Sequence, residues 1–493
     1  MLNFNRLKAI KKSNIKPKYI ICDVFPREYN TEKYKPYIEI TRLFKLGYKP
    51  NEIFILAPSI KSLKSPVRLF ENYLKKNNPS ISIYVPSSDE EKIDPDVIQD
   101  KLIFSTFHQS KGLERKVVII FGFDESYFKF YKKDNDNFIC SNELYVATTR
   151  AKEELIMIHH YQNNYLPFLN KNKLTKFCII EGKLSKNIDE LTNKDIIKTS
   201  ATDIVKHLPQ EIIDKCFTYF RINNIRKGNK KISIISKIKN KSVNTCESVS
   251  EINGLAIPAY FEYKINKKMS ILEYCKNPPK DLHYSNNNVL KLFWKERIGL
   301  IKWIEKEKKI KDNLLQIATI YNSLHTGYIF KSFQIEKFNW LSKNTLDRCL
   351  ERLYTLNISS NSTFEYVQNI SNISNNYPEL LNRILIGIYD CIDTDNNIIY
   401  EFKCTKKLEK EHYIQLAIYM YIHMINQLDN NIKIKYRYRI YNILTDQLDE
   451  ITTTLNQLKK LIKYIFDYKF GKKEYINDIN FIENCLKIQK KIK

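Results

Sequence analysis

Residues 386–419 read IGIYDCIDTDNNIIYEFKCTKKLEKEHYIQLAIY and hold two carboxylates and a lysine at a spacing that chemistry can use. Asp390 ends an apolar run, DTDNN at 393–397 is turn-forming, and 398–404 is an apolar return run. Alternation along that run puts Glu401 and Lys403 on one face. A hairpin of this kind brings Asp390, Glu401 and Lys403 together. Two carboxylates can hold Mg²⁺ or Mn²⁺ through oxygen ligands. A metal so held lowers the pKa of a bound water and clamps a phosphate. A neighbouring lysine can orient that water or neutralise developing charge.

A second set of groups lies far upstream. STFHQSKGLE at 105–114 falls between two β-rich runs, and NELYVATTRAK at 142–152 follows about thirty residues on. Gly112 permits a tight turn where a side chain would obstruct a ligand. Glu114 can accept hydrogen bonds from a sugar hydroxyl. Arg150, near the end of an expected helix over 142–152, can point a permanently charged fork at a phosphate.

The elements that must position these groups are legible in outline. The chain has 493 residues, which at roughly 100–200 per domain suggests two to four domains. Apolar, β-rich runs at 19–25, 52–57, 81–85, 102–107, 117–123 and 155–159 alternate with helical patterns, as at 66–76. That alternation predicts a largely parallel sheet covered on both faces. Residues 166–198 are polar with broken periodicity and are expected to be a linker. At 199–219, Ser200 or Thr202 can cap a helix that Pro209 interrupts. Residues 221–250 are expected to be loop-rich, 285–356 helical, 384–443 a mixture of strand and helix, and 450–470 an amphipathic helix.

Lys and Arg number 81 against 55 Asp and Glu, a net charge of +26. A polyanionic partner such as nucleic acid fits this excess. A chain so rich in Lys, Asn, Ile and Tyr, with 10 Gly, also fits an AT-rich genome that adds Lys regardless of function. No apolar run reaches the ~18–20 residues of a membrane span, and the first residues lack a signal-peptide core. The ten Cys form no CxxC pair. The expectation is an intracellular protein, cytoplasmic or in a nucleus or viral factory, with free thiols and no membrane partner.

The upstream pair resembles motifs V and VI of superfamily 1 helicases of the UvrD/RecB type, read as TxHxxKGLE and LYVAxTRA. The resemblance implies a RecA-like second lobe over 1–165. It implies that Gly112, Glu114 and Arg150 serve ATP, with Glu114 on the ribose and Arg150 as arginine finger. Thr106 and His108 would lie along DNA. The sequence holds no GxxxxGK[ST], so ATP is expected only if a partner, a separate motor subunit with a Walker A loop, supplies the first lobe.

The downstream set resembles the RecB-like branch of PD-(D/E)XK nucleases. GxxD (Gly387, Asp390), ExK (Glu401, Lys403) and QxxxY (Gln415, Tyr419) follow in order, and SATDIVKHLP at 200–209 resembles the family's SxSxLxxYxxC opening. The resemblance implies catalytic Asp390, Glu401, Lys403, Gln415 and Tyr419, and a metal on Asp390 and Glu401. Glu365 is the best candidate for an additional ligand, ahead of His325 and Glu336. Relatives place a His three residues after a Gly, whereas Phe330 follows Gly327 here. Cys216 could match an iron–sulfur Cys, but only Cys485 lies near the C-terminus, so no cluster is expected.

The expected architecture is α/β: a RecA-like parallel-sheet lobe (1–165), a linker (166–198), an α/β PD-(D/E)XK domain with a largely helical surround (199–475) and a tail (476–493). The function implied is metal-dependent DNA cleavage by a helicase–nuclease, an order found in RecB-like proteins and in large DNA viruses. The competing reading is a non-catalytic DNA-binding subunit that completes a motor supplied by another chain.

Overall fold

The computed structural model describes residues 15–471 apart from 27–32, 61–64, 87–93, 133–137, 186–196, 206–207, 229–230, 241–244, 280–287, 372, 374–376 and 378–382. The first half is built on seven strands. They are β1 (Lys18–Cys22), β2 (Ile53–Ala57), β3 (Ile83–Tyr84), β4 (Leu102–Thr106), β5 (Arg115–Phe121), β6 (Ala151–His160) and β7 (Ile179–Glu181). Their order is β3-β4-β2-β5-β6-β1-β7, and each neighbouring pair is parallel. The near-continuous apolar runs are what a sheet buried on both faces requires. Successive residues serve opposite faces. Ile53, Ile55, Val117 and Ile119 meet the helices Lys35–Lys45 and Pro66–Asn77, whereas Phe54, Leu56, Val118 and Ile120 meet Tyr127, Leu144 and Ala147.

Two expectations change here. The helix expected over 142–152 ends at Thr148, and the chain enters β6 at Ala151. The hydroxyls of Thr148 and Thr149 donate to the carbonyls of Tyr145 and Val146, and β-branched residues and local hydroxyl bonds disfavour continuation. Within the expected linker, Lys171–Phe177 is a helix and β7 adds to the sheet edge beside β1.

The second half holds a mixed sheet. Its strands are β8 (Ile197–Ser200), β9 (Arg221–Arg226), β12 (Thr363–Ile370), β13 (Arg383–Asp393), β14 (Ile398–Lys403), β15 (Arg437–Asn442) and β16 (Gln447–Thr452). A separate hairpin pairs β10 (Lys237–Asn240) with β11 (Thr245–Ser248). The order is β12-β13-β14-β15-β16-β9, with β8 on β13. β9 and the hairpin replace the loop expected over 221–250. One sheet face packs under the helices Lys410–Asp429 and Leu455–Phe470. The other packs under a helical surround that includes Ser250–Asn266, Asn288–Lys306, Leu314–Thr326 and Lys343–Tyr354. The expected tail, 476–493, lies outside the described residues, and among those described no helix is long and apolar enough to cross a membrane.

The halves share packed surface. Tyr328 and Phe330, from the helical surround, are buried in the apolar core of the first sheet. Arg68 lies over the Tyr328 ring at 3.8 Å. The Gln334 side chain accepts from the Ile83 N–H at 2.7 Å and donates to the Ile83 carbonyl at 2.9 Å, completing the outer edge of β3. Lys101 and Glu247 form a fully buried ion pair at 2.6 Å across the same junction.

Candidate functional site

The site in the second half forms where two strands part. The β13–β14 ladder runs from Asp393–Ile398 to Cys391–Tyr400 and stops there. Further back along β13, Arg383–Ile386 pairs with β8 instead. Asp390 and Glu401 occupy the next positions, at the divergence. The Asp390 carboxylate fills the gap by accepting the Phe402 N–H at 2.6 Å. Lys403 donates to Glu401 Oε1 at 2.7 Å and to Gln415 Oε1 at 3.0 Å. Gln415 Nε2 in turn donates to the Tyr419 hydroxyl at 3.0 Å and to Thr202 Oγ1 at 3.1 Å. The four-residue spacing of Gln415 and Tyr419 puts both on one face of Lys410–Asp429. Gly387 lets that helix approach, since a Cβ there would stand 3.1–3.2 Å from Ile422 and Tyr419 side-chain atoms. All five residues expected to be catalytic are therefore brought together.

The electrostatics are those of a crowded anionic centre. Burial pushes the Asp390 carboxyl well above its usual range, and the negative charges of Glu401 and Glu365 push further. Burial also raises Glu401, although Lys403 opposes it. Burial alone would lower Lys403, but the Glu401 and Asp390 carboxylates outweigh it and leave the ammonium raised. Lys403 therefore stays protonated at neutral pH and acts as a fixed cation.

Glu365 joins this centre. It sits on β12 with φ +51°, while its neighbours Phe364 and Tyr366 keep their pairing with Cys391 and Tyr389. A left-handed backbone costs a non-glycine residue roughly 1–2 kcal/mol, a strain that clusters at functional positions. Burial raises its carboxyl to about 7, with Glu262 and Glu401 adding and a bond from Tyr321 opposing. His325 instead stacks on Tyr321, 5.5 Å between centroids, in the wall of a cavity of about 630 Å³ that Glu262 and Glu365 also line. Glu336 is exposed and stands outside that cavity. Phe330, at the position where the sequence resemblance would place a His, is an anchor in the first sheet.

Among the described residues no group of three or more His, Cys, Asp and Glu side chains is gathered into a ready metal cage. The donor set still suits a hard divalent cation. Glu401 Oε2 is buried without a hydrogen-bond partner, and the like charges of Asp390, Glu401 and Glu365 favour a cation among them.

Sequence reading missed Thr202 as a partner of Gln415, although the opening motif at 200–209 was the signal that could have found it. Tyr321 and Glu262 had no local signal. Ser200 is the cap foreseen, accepting from the Asp203 N–H at 3.1 Å.

In the first half the expected residues divide between two rims of the sheet. Thr106 ends β4 and is buried, and His108 is exposed beside it at the carboxyl ends of the strands. Glu114 and Arg150 stand at the amino ends of β5 and β6, joined by an Arg115 N–H to Arg150 carbonyl bond at 3.1 Å. Glu114 is exposed and pairs with Lys152 at 3.2 Å. The Arg150 fork folds back onto its own turn, donating to the Val146 carbonyl and Thr149 Oγ1. Gly112 has φ +82° with open space where a Cβ would stand, so the turn itself requires glycine, not a close neighbour.

Comparison with known proteins bears on this half. Residues 9–162 match the UvrD-like helicase C-terminal domain. The lobe is UvrD-like. A protein of Acanthamoeba polyphaga mimivirus, named as a candidate ATP-dependent DNA helicase, is 30% identical over 160 residues. That match covers 31% of this chain and 23% of the relative, so the chain spans about a quarter of the length of the curated relative it matches. A solved C-terminal domain of a candidate DNA helicase from Lactobacillus plantarum covers 34% of this chain and 86% of its own. Its identity is 13% and its TM-score 0.24.

Proposed function

We propose that this chain is a DNA-processing helicase–nuclease component whose second half cleaves phosphodiesters with Mg²⁺ or Mn²⁺. The observation that carries the reading is the linked set Gln415–Lys403–Glu401 beside Asp390, in which Glu401 Oε2 is buried without a hydrogen-bond partner. Bound at Asp390 and Glu401, with Glu365 beside them, the metal would polarise the phosphate and lower the pKa of a water. The chain's own residues do the rest. The Phe402 N–H fixes Asp390. Lys403, held between Glu401 and Gln415, presents its charge where negative charge develops. Tyr419 and Thr202 keep Gln415 oriented toward it.

The UvrD-like lobe offers Glu114 and Arg150 along one rim and Thr106 and His108 along the other. We infer that a first lobe carrying a Walker A loop completes its ATP site, and that DNA runs along the Thr106 rim. The division between the halves falls between Ser185 and β8. The second reading is a non-catalytic DNA-binding or assembly subunit that completes a motor supplied by another chain.

One experiment separates them. Full-length chain is mixed with labelled single- and double-stranded DNA in Mg²⁺, Mn²⁺ or EDTA, with and without ATP. Lys403→Ala and Asp390→Asn run alongside. Cleavage that needs metal, ignores ATP and disappears in both variants supports the nuclease. DNA binding with no cleavage in any metal supports the subunit.

A further inference from the structure

The helix Leu314–Thr326 packs in the core of the second half and leads directly into a segment buried in the first. Beyond it Gly327 turns with φ +73°, and the following residues enter the UvrD-like lobe. Phe330 is buried among that lobe's apolar residues. The Tyr328 hydroxyl donates to the Pro86 carbonyl at 2.8 Å. Gln334 closes both backbone groups of Ile83. This end of the segment is clamped by apolar burial, a side-chain bond and a completed sheet edge.

Less than two turns back, the same helix reaches the carboxylate centre. The Tyr321 hydroxyl donates to Glu365 Oε2 at 3.3 Å. Tyr321 is held between Tyr274, at 5.0 Å and 75°, and His325, at 5.5 Å and 4°. Glu365 has need of such a support, because it keeps a left-handed backbone in the middle of a paired strand.

We propose that Tyr321 is a positioning residue for Glu365, and that the docked segment 328–334 holds Tyr321 in place, so that the UvrD-like lobe sets the geometry of the carboxylate centre. The proposal rests on the metal-nuclease reading for its functional meaning but not for its structural content. The route is continuous: lobe core, residues 328–334, helix, Tyr321 hydroxyl, Glu365. A change in how the lobe docks moves one end of a rigid helix whose other contact is a carboxylate of the site.

The test uses the full chain and two readouts. The first is Mn²⁺ binding followed by electron paramagnetic resonance. Tyr321→Phe keeps the ring and removes one bond to a charged group, so Mn²⁺ affinity falls about tenfold. Gln334→Ala, made at the contact with the UvrD-like lobe, weakens Mn²⁺ about threefold, and the double variant falls short of the product because both act through one link. The second readout is hydrogen exchange in metal-free protein. Both variants speed exchange of 363–370 about fivefold and leave β15 and β16 unchanged.

If Mn²⁺ affinity and exchange at 363–370 stay at wild-type values in Tyr321→Phe, the positioning role is wrong. If Gln334→Ala lowers the melting temperature without moving either readout, the dock is only structural and the proposal fails. If no variant, wild type included, binds Mn²⁺ yet exchange still responds, the positioning stands and the nuclease reading falls instead.

Discussion

At Asp390 folding and the proposed chemistry pull in opposite directions. Its carboxylate is packed beside Glu401 and Glu365, so ionising all three costs the metal-free protein stability. Asparagine at 390 keeps an acceptor for the Phe402 N–H while removing one charge. Asp390→Asn is therefore expected to melt higher than wild type in EDTA at pH 8, with the gap shrinking at pH 5, while losing the cleavage proposed above. Lower melting at both pH values would count against charge crowding. Glu365 adds a pH dependence. Its folded pKa of about 7 lies above the usual 4.5, so the neutral form is favoured by folding. The stability it contributes is fully present below about pH 4.5 and is lost as pH rises through 7. Metal-free protein should accordingly lose thermal stability between pH 5 and 8, and added Mn²⁺ should protect more at pH 8 than at pH 6. Asp390, Glu401, Lys403, Gln415 and Tyr419 were legible because a hairpin and one helical spacing bring them together locally. Tyr321 and Thr202 were not, because they reach the site from helices more than forty and two hundred residues upstream in sequence.

The element that decides the site's shape is the helix Lys410–Asp429, laid close against β13 at Gly387. Gly387→Ala pushes a methyl group to within 3.1–3.2 Å of Ile422 and Tyr419 atoms. Overpacking of this kind costs about 1–3 kcal/mol, and the displacement carries Gln415 away from Lys403. A drop in melting temperature with a disproportionate loss of the proposed cleavage is the expected result. Full activity in Gly387→Ala would mean that the helix can shift without cost. The parallel strands of the first half were readable from short apolar runs between helical patterns. The helix Ser250–Asn266 was not. Pro258 interrupts it and removes the bond to the Gly254 carbonyl. Its buried Ile252, Ala256, Ile257, Tyr260 and Phe261 leave little polar face for periodicity to reveal. β7 was missed because its three residues owe their place to β1, more than 150 positions away.

Over the whole molecule, the two halves share one packed interface. Lys101 and Glu247 are buried together, 2.6 Å apart, with Gln334 also donating to Glu247. Removing one partner of such a pair strands the other charge, at a cost of about 3–5 kcal/mol. Glu247→Gln should lower the single unfolding transition of the full chain seen by calorimetry. Two separate transitions in wild type would show that the halves melt independently and that the junction contributes little. The net charge of +26 belongs to this scale as well. It was visible at once in the composition, whereas the junction was invisible, because each of its contacts joins residues far apart in sequence.

The amide of Gln334 has one further consequence. An outer strand normally leaves a row of open N–H and C=O groups onto which another chain can add, the usual start of aggregation. β3 is only two residues long, and the side chain of Gln334 satisfies Ile83 in both directions. A fragment cut before β8 would lose this seal together with Tyr328 and Phe330. Its solubility on expression, set beside that of the intact chain, would measure how far the second half acts as a built-in chaperone for the first.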